Sequence, residues 1–235
     1  MKIGLLSTIK SKNIVNSKIN STAYGIKMTK PLNQDTLTLS FKGIVEDVGL
    51  VKAAQSGDIK KVEQLIKKGA NVNAMHQAGA VLHYAADSNN LDLANLLIKY
   101  KANVDIQNNI QWTPLNVAVF KDNFEVAELL VKNKANIHIA DHNNIEPLHH
   151  AAGNLNLKIM NLLVNHGADF LDKGKCEFTT LEIFAEMLHR KGYHQEYNYC
   201  QEAVYHLQQG VTTKEYFSKG LMGYFEVLGH NLPIK

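Results

Sequence analysis

A recurrence of about 33 residues constrains this chain more than any other feature of its sequence. Leucines in one register lie 32 or 33 residues apart, at Leu50, Leu82, Leu115, Leu148 and Leu181. Three further features follow each of the first four leucines in the same register. They are a pair of small residues, a run of aliphatic residues and a closing segment rich in Ala, Asn and Asp. A recurrence of this length predicts a stack of similar structural units rather than one closed core.

Each unit is predicted to be a pair of short helices. In the third unit Thr113 can act as an N-cap, and Pro114 suits the first helical position, where its missing N–H costs nothing. A break at 121–123 precedes a second helix that begins at Phe124. Short helices are marginal alone, and one pair cannot cover its own apolar face. Stacked pairs cover one another, so the sequence predicts an all-α solenoid.

This pattern resembles the ankyrin repeat in unit length, in the Thr-Pro-Leu start, in the paired alanines and in the exit Gly-Ala-Asn-Val-Asn at 69–73. The resemblance covers about residues 43–209. It places repeats at 43–74, 75–107, 108–140 and 141–173, and a degenerate fifth at 174–209. It implies an ankyrin-type helical repeat solenoid with short β-hairpin fingers along one edge, to which the sequence adds a C-terminal capping helix described below. In that family the concave face formed by the fingers and the first helices binds other proteins.

The units depart from the family pattern at two kinds of position. The first-helix cap is Thr113 in the third unit but Ala80 and Glu146 in its neighbours, where about 1 kcal/mol of capping would be missing. The usual finger glycine is replaced by Gln111 and Asn144, and of these two only asparagine adopts a left-handed conformation cheaply.

The two ends of the chain fit no repeat. Residues 1–45 are rich in Ser, Asn, Lys and Thr, which favours a mostly disordered leader, although polar–apolar alternation at 36–41 leaves a strand possible. Residues 210–235 predict a capping helix that begins with a capping box at Thr212 and Glu215. Its apolar face, which either covers the last repeat or binds a partner helix, consists of Phe217, Leu221, Tyr224, Phe225 and Leu228.

Charge and composition argue against nucleic acid and membrane partners. The chain carries +3 and residues 1–45 carry +6, so residues 46–235 carry −3. Arg190 is the single arginine, whereas base and phosphate recognition depend heavily on arginine. No apolar run is long enough to span a bilayer, and the start lacks a secretory signal. The two cysteines, Cys176 and Cys200, suit a reducing compartment, so we expect a cytoplasmic protein, with export by a non-standard route left open.

No enzymatic or metal-binding chemistry is expected. Phosphate-loop, dinucleotide and nucleophile-elbow motifs are absent from the sequence, and the repeats leave neither end long enough for a catalytic domain. Two histidine-rich groups contain residue types that bind zinc, but neither has paired ligand spacing, and we expect no cofactor and no metal. The groups are His138, His142, His149 and His150, and then His189, His194, Cys200 and His206.

The resemblance implies that finger residues and outward positions of the first helices bind the partner. These positions are Met75, His76, Tyr84, Trp112, Val117, Phe120, His142, Asn143 and His150. Aromatic residues are enriched at interface hot spots, although Trp112 and Phe120 could instead pack between fingers and helices. The sequence therefore predicts a monomeric, non-catalytic protein–protein interaction module that binds another protein. The alternative is a regulatory or host-directed effector whose leader or C-terminal helix carries a second function.

Overall fold

Ten helices and one two-stranded sheet account for the regular structure of the described residues. A computed structural model describes residues 34–76, 79–171, 173–174 and 176–208. The chain divides into two compact units, Met1–Ser40 and Phe41–Lys235. The elements are α1 (Gln34–Gln55), α2 (Ile59–Lys67), β1 (Met75–His76), β2 (Gly79–Ala80), α3 (Val81–Asp87), α4 (Leu91–Lys99), α5 (Pro114–Phe120), α6 (Phe124–Lys132), α7 (Pro147–Gly153), α8 (Leu157–Asn165), α9 (Thr180–Arg190) and α10 (His194–Gln208).

The helices form pairs that stack in two layers. The first helices α3, α5, α7 and α9 contact one another in succession, and so do the second helices α2, α4, α6 and α8. From α3 onward, each first helix also contacts the second helix that follows it. The all-α solenoid predicted from the repeat is therefore confirmed. No helix in the described ranges is both long and apolar enough to cross a bilayer.

Small residues allow the first helices to approach closely. Ala85, Ala118 and Ala151 occupy the same position in successive units, and all three are fully buried. The register leucines, including Leu115, are buried beside them, and truncating such a side chain to alanine typically costs about 2–5 kcal/mol. The recurrence seen in the sequence is thus the recurrence of one packing environment.

Left-handed backbone positions close each unit at the end of its second helix. Gly69 and Gly167 have φ of 101° and 105°, and the equivalent Lys101 and Lys134 both have φ of 65°. Gln111, in the finger between Asn108 and Trp112, has φ of 60°. A side chain in this conformation costs about 1–2 kcal/mol relative to glycine, so the stacked architecture imposes the turn on residues that do not favour it.

A ladder of side-chain hydrogen bonds joins successive units at their exits. Asn73 Oδ1 accepts from the Asn103 backbone N–H, and Asp105 Oδ1 accepts from the Asn136 N–H, both at 2.8 Å. The next position in this register is His138, which has no carboxylate or amide oxygen to offer. Between the third and fourth units, the ladder therefore lacks the side-chain oxygen that accepts the backbone N–H in earlier units.

The fingers are hairpins of unequal regularity. Residues 75–80 contain the strand pair β1–β2, with Met75 opposite Ala80 and His76 opposite Gly79. The next finger is closed by the Asn108 N–H donating to Trp112 O at 2.9 Å. The third is closed by the Asp141 N–H donating to Ile145 O at 3.0 Å. Each finger thus returns the chain directly to the start of a first helix.

The start of the described chain corrects two expectations. Residues 36–41 are helical, so the possible strand there is wrong, and residues 34–45 form the first half of α1 rather than a disordered segment. The reason lies in the sequence, because Leu37, Phe41, Ile44, Val48 and Val51 continue one helical stripe into the first repeat. The expectation of disorder for residues 1–33 and of a capping helix at 210–235 lies outside the described residues.

Candidate functional site

Three rings from two successive units meet at the surface between the third and fourth repeats. The Trp112 and Phe120 centroids lie 4.9 Å apart in an edge contact. His150 lies 5.3 Å from Trp112 and 5.7 Å from Phe120. We name these three residues, with the buried Asp141 beneath them, the Trp112 cluster.

The fold places these side chains from both ends of a short helix. Trp112 immediately precedes Thr113, whose Oγ1 caps α5 by accepting from the Asn116 N–H at 3.2 Å. Phe120 is the last residue of α5, and His150 lies on the neighbouring α7. The Phe120 side chain remains 46% exposed, whereas Trp112 is half-buried.

Asp141 holds the cluster together by accepting four N–H groups. One oxygen accepts from the Asn143 and Ile145 backbone N–H groups, at 2.8 and 3.1 Å. The other lies 3.1 Å from Trp112 Nε1 and 3.3 Å from His150 Nε2. Asp141 is only 3% exposed, and a buried carboxylate needs such partners to offset its lost hydration. The carboxylate therefore fixes the finger and both rings in one arrangement.

The buried His83 and the partly buried His150 both favour their neutral form. Burial lowers the pKa of His150, and the nearby Asp141 charge opposes that shift without cancelling it. Burial also lowers the pKa of His83, whose Nδ1 accepts from the Ala80 N–H at 3.1 Å. His83 Nε2 therefore carries the proton and donates to Trp112 O at 2.9 Å, which ties the second unit to the third.

The fingers are also bonded to their neighbours. The His142 backbone N–H and its Nδ1 both lie within hydrogen-bond distance of Ile110 O, at 3.3 and 3.1 Å. One finger earlier, the Tyr84 hydroxyl donates to His76 O at 2.7 Å and so fixes that finger against its own helix. The fingers that carry Ile110 and His142 are therefore bonded to each other, and His76 is bonded to α3.

The structure places eight of the nine predicted binding residues at least partly at the surface. The prediction for Val117 is wrong, because this residue is only 8% exposed and belongs to the core, whereas the equivalent Tyr84 and His150 are partly exposed. The predicted residues fall into three groups along the array. They are Met75 and His76 on the first of these fingers with Tyr84 on α3, then Trp112, Phe120 and His150 in the cluster, then His142 and Asn143 at the next fingertip.

Three residues of this surface were missed by sequence reasoning. Asp141 and Asn108 start successive fingers 33 residues apart, and each side chain accepts two backbone N–H groups of its own finger. Their shared register was the available signal. Ile110 is an exposed fingertip residue one repeat before Asn143, and the same register would have found it.

The C-terminal histidine group makes ring contacts. The His189 ring contacts His194 edge-on, with centroids 5.5 Å apart, and Tyr197 in a tilted arrangement at 4.7 Å. Burial raises the pKa of the Cys200 thiol to about 12, so this sulfur is protonated near neutral pH. The side chain of His206 lies outside the described residues. Within the described part of the chain, no three His, Cys, Asp or Glu side chains are grouped to hold a metal ion.

Comparison with known proteins matches the repeat region. A family model described as ankyrin repeats (3 copies) matches residues 50–141 and 82–174. Over 70 residues the chain is 46% identical to neurogenic locus notch homolog protein 1 of Xenopus tropicalis. The aligned segment covers 29% of this chain and 3% of that protein. Over 77 residues it is 34% identical to 2-5A-dependent ribonuclease of Mus musculus, covering 32% of this chain and 10% of that protein. The chain thus spans a small part of the curated relatives it matches.

Proposed function

The chain belongs to the ankyrin repeat family, and on that basis we propose that it is a non-catalytic module that binds a partner protein through the Trp112 cluster. Ankyrin repeats are generally protein–protein interaction modules. The observation that carries the proposal is the Phe120 ring, which is held against Trp112 and His150 yet remains 46% exposed. A large apolar ring at the surface of a well-packed array is what a partner side chain can bury.

The rigidity of the cluster favours binding. Phe120 contacts two rings, and one of them is anchored to Asp141 by the indole N–H. Ordering a side chain on association costs about 0.5–1.5 kcal/mol, and a ring that is already ordered avoids much of that cost. The cluster therefore suits a hot spot better than an isolated exposed ring would.

The surroundings of the cluster have the composition of an interface. Exposed apolar surface is added by Met75, on the finger at 75–80, and by Ile110, on the finger that leads to Trp112. His142 and Asn143 are exposed and polar at the following fingertip. An apolar centre with a polar, solvated rim is the common anatomy of protein interfaces. This arrangement supports binding of a protein chain across several fingers on the predicted concave face.

The test compares two exposed aromatic residues. Phe120→Ala removes the ring of the cluster, and Tyr205→Ala removes a ring that is 59% exposed on α10, away from the fingers. Affinity capture from native lysate with the parent and both variants identifies the partner, and titration of the purified partner measures its affinity. We expect Phe120→Ala to weaken binding by at least about 2 kcal/mol, roughly 30-fold, while Tyr205→Ala binds like the parent. Equal binding by the two variants would contradict the assignment.

A further inference from the structure

An apolar groove lies on the outer side of the last described first helix. It has a volume of about 560 Å³ and is lined by Phe178, Glu182, Ile183, Glu186, Met187 and Arg190. Phe178 is 56% exposed, and Arg190 pairs with Glu186 at 2.8 Å. The groove therefore has an apolar floor beside a charged rim.

The repeat register shows which direction this groove faces. In earlier units the position equivalent to Glu182 is His83 or Asn116. His83 donates to Trp112 O in the following unit, whereas Asn116 Nδ2 donates to Ile139 O within its own unit. Phe120, the equivalent of Glu186, also contacts His150 of the following unit. The groove on α9 therefore opens where a further unit would stack on the array.

We propose that residues 212–228 of this chain occupy the groove and close the exposed end of the array. This inference is independent of the proposed function. The segment follows four residues after α10, which itself packs against α9, so the tether holds it close to the groove. Its apolar residues recur at helical spacing from Phe217 to Leu228, and as a helix of 17 residues it would extend about 25 Å. That length is sufficient to cover the 11-residue α9.

Hydrogen exchange of the full-length protein tests this placement. In the parent, amides of 212–228 should exchange at least about 10-fold more slowly than in Met187→Asp, which puts a charge into the groove. Leu221→Asp, on the apolar face of the segment, should give the same loss of protection. Met222→Asp is the matched control, because residue 222 lies off that face, and its protection should equal that of the parent. Free exchange of 212–228 in the parent, or equal effects of Leu221→Asp and Met222→Asp, would overturn the proposal.

Disulfide trapping identifies which chain fills the groove. In a Cys176→Ser background, Met187→Cys with Leu221→Cys should oxidise within one chain to a monomeric crosslinked species, and Met187→Cys with Met222→Cys should oxidise several-fold more slowly. Cys200 is buried and protonated, so it does not compete. Predominantly intermolecular crosslinks, or protection that grows with protein concentration, would assign the groove to a second copy and refute the proposal.

Discussion

Replacing Asp141 with asparagine is expected to loosen the Trp112 cluster while leaving the shape of the finger almost unchanged. The asparagine oxygen can still accept from the Asn143 and Ile145 backbone N–H groups. Its amide group then faces the Trp112 indole N–H, which at present lies 3.1 Å from a carboxylate oxygen. Two donors cannot bond each other, so the indole loses its partner.

The magnitude follows from the contacts that are lost. A buried donor left without a partner costs about 1–3 kcal/mol. The two backbone bonds lose their charge-assisted character and weaken further. His150 can change tautomer and accept from the new amide, so its altered contact adds little to the loss in free energy of unfolding. We expect Asp141→Asn to lower the free energy of unfolding by about 2 kcal/mol, which corresponds to a fall in Tm of about 4–8 °C for a chain of this size.

Urea unfolding followed by tryptophan emission measures this directly, because Trp112 is the only tryptophan of the chain. Far-UV circular dichroism should report the same midpoint if the array unfolds as one unit. Asp92→Asn is the control, since it makes the same chemical change at an exposed site in the first turn of α4 and should cost less than about 1 kcal/mol. If Asp141→Asn is no more destabilising than this control, the carboxylate does not hold the cluster.

Three further predictions concern pH, backbone strain and the ladder between units. Burial lowers the pKa of His83 and of His150, so the unfolded chain binds protons below about pH 6.5 that the folded chain does not. The free energy of unfolding should be fully retained above that pH and fall as the pH drops toward 5, less steeply in His150→Gln; urea titrations across pH check this. Lys134→Gly should raise stability by about 0.5–1 kcal/mol by relieving the left-handed backbone, and Lys134→Ala, which keeps the Cβ, should show no such gain in thermal melts. His138→Asn should add about 0.5–1.5 kcal/mol by offering an oxygen to the Asp169 N–H, a gain that His138→Ala should lack in urea midpoints.

The buried residues of this protein can be predicted from its sequence because successive units repeat the same packing environment. Leu115 and Ala118 recur with the period of the stack, so their burial follows from register alone. The helix that begins at Gln34 was harder to predict from the sequence. Residues 36–41 alternate between polar and apolar side chains, which favours a strand, but they also fit a longer helical pattern. The longer pattern decided the structure.

The binding surface is less predictable because its contacts join different units. Trp112 and Asp141 lie 29 residues apart in the sequence, and nothing in either repeat alone shows that their side chains meet. Side-chain length also affects what reaches the surface, since Val117 is buried whereas Tyr84, at the equivalent position, is partly exposed. Family geometry indicates the face, and the particular pairs of side chains decide which residues form it.

The junction between the third and fourth units combines stability with the proposed binding role. The exit ladder lacks an acceptor at His138, and at the same junction the indole of Trp112 bonds the buried carboxylate of Asp141. Trp112 therefore both holds the two units together and supports the exposed ring of Phe120. Substituting Trp112 would weaken stacking and binding together, so it cannot separate the two roles. Phe120→Ala removes a ring that is nearly half exposed and should cost stability less than partner affinity; a larger loss of folding free energy than of binding free energy would identify Phe120 as a packing residue.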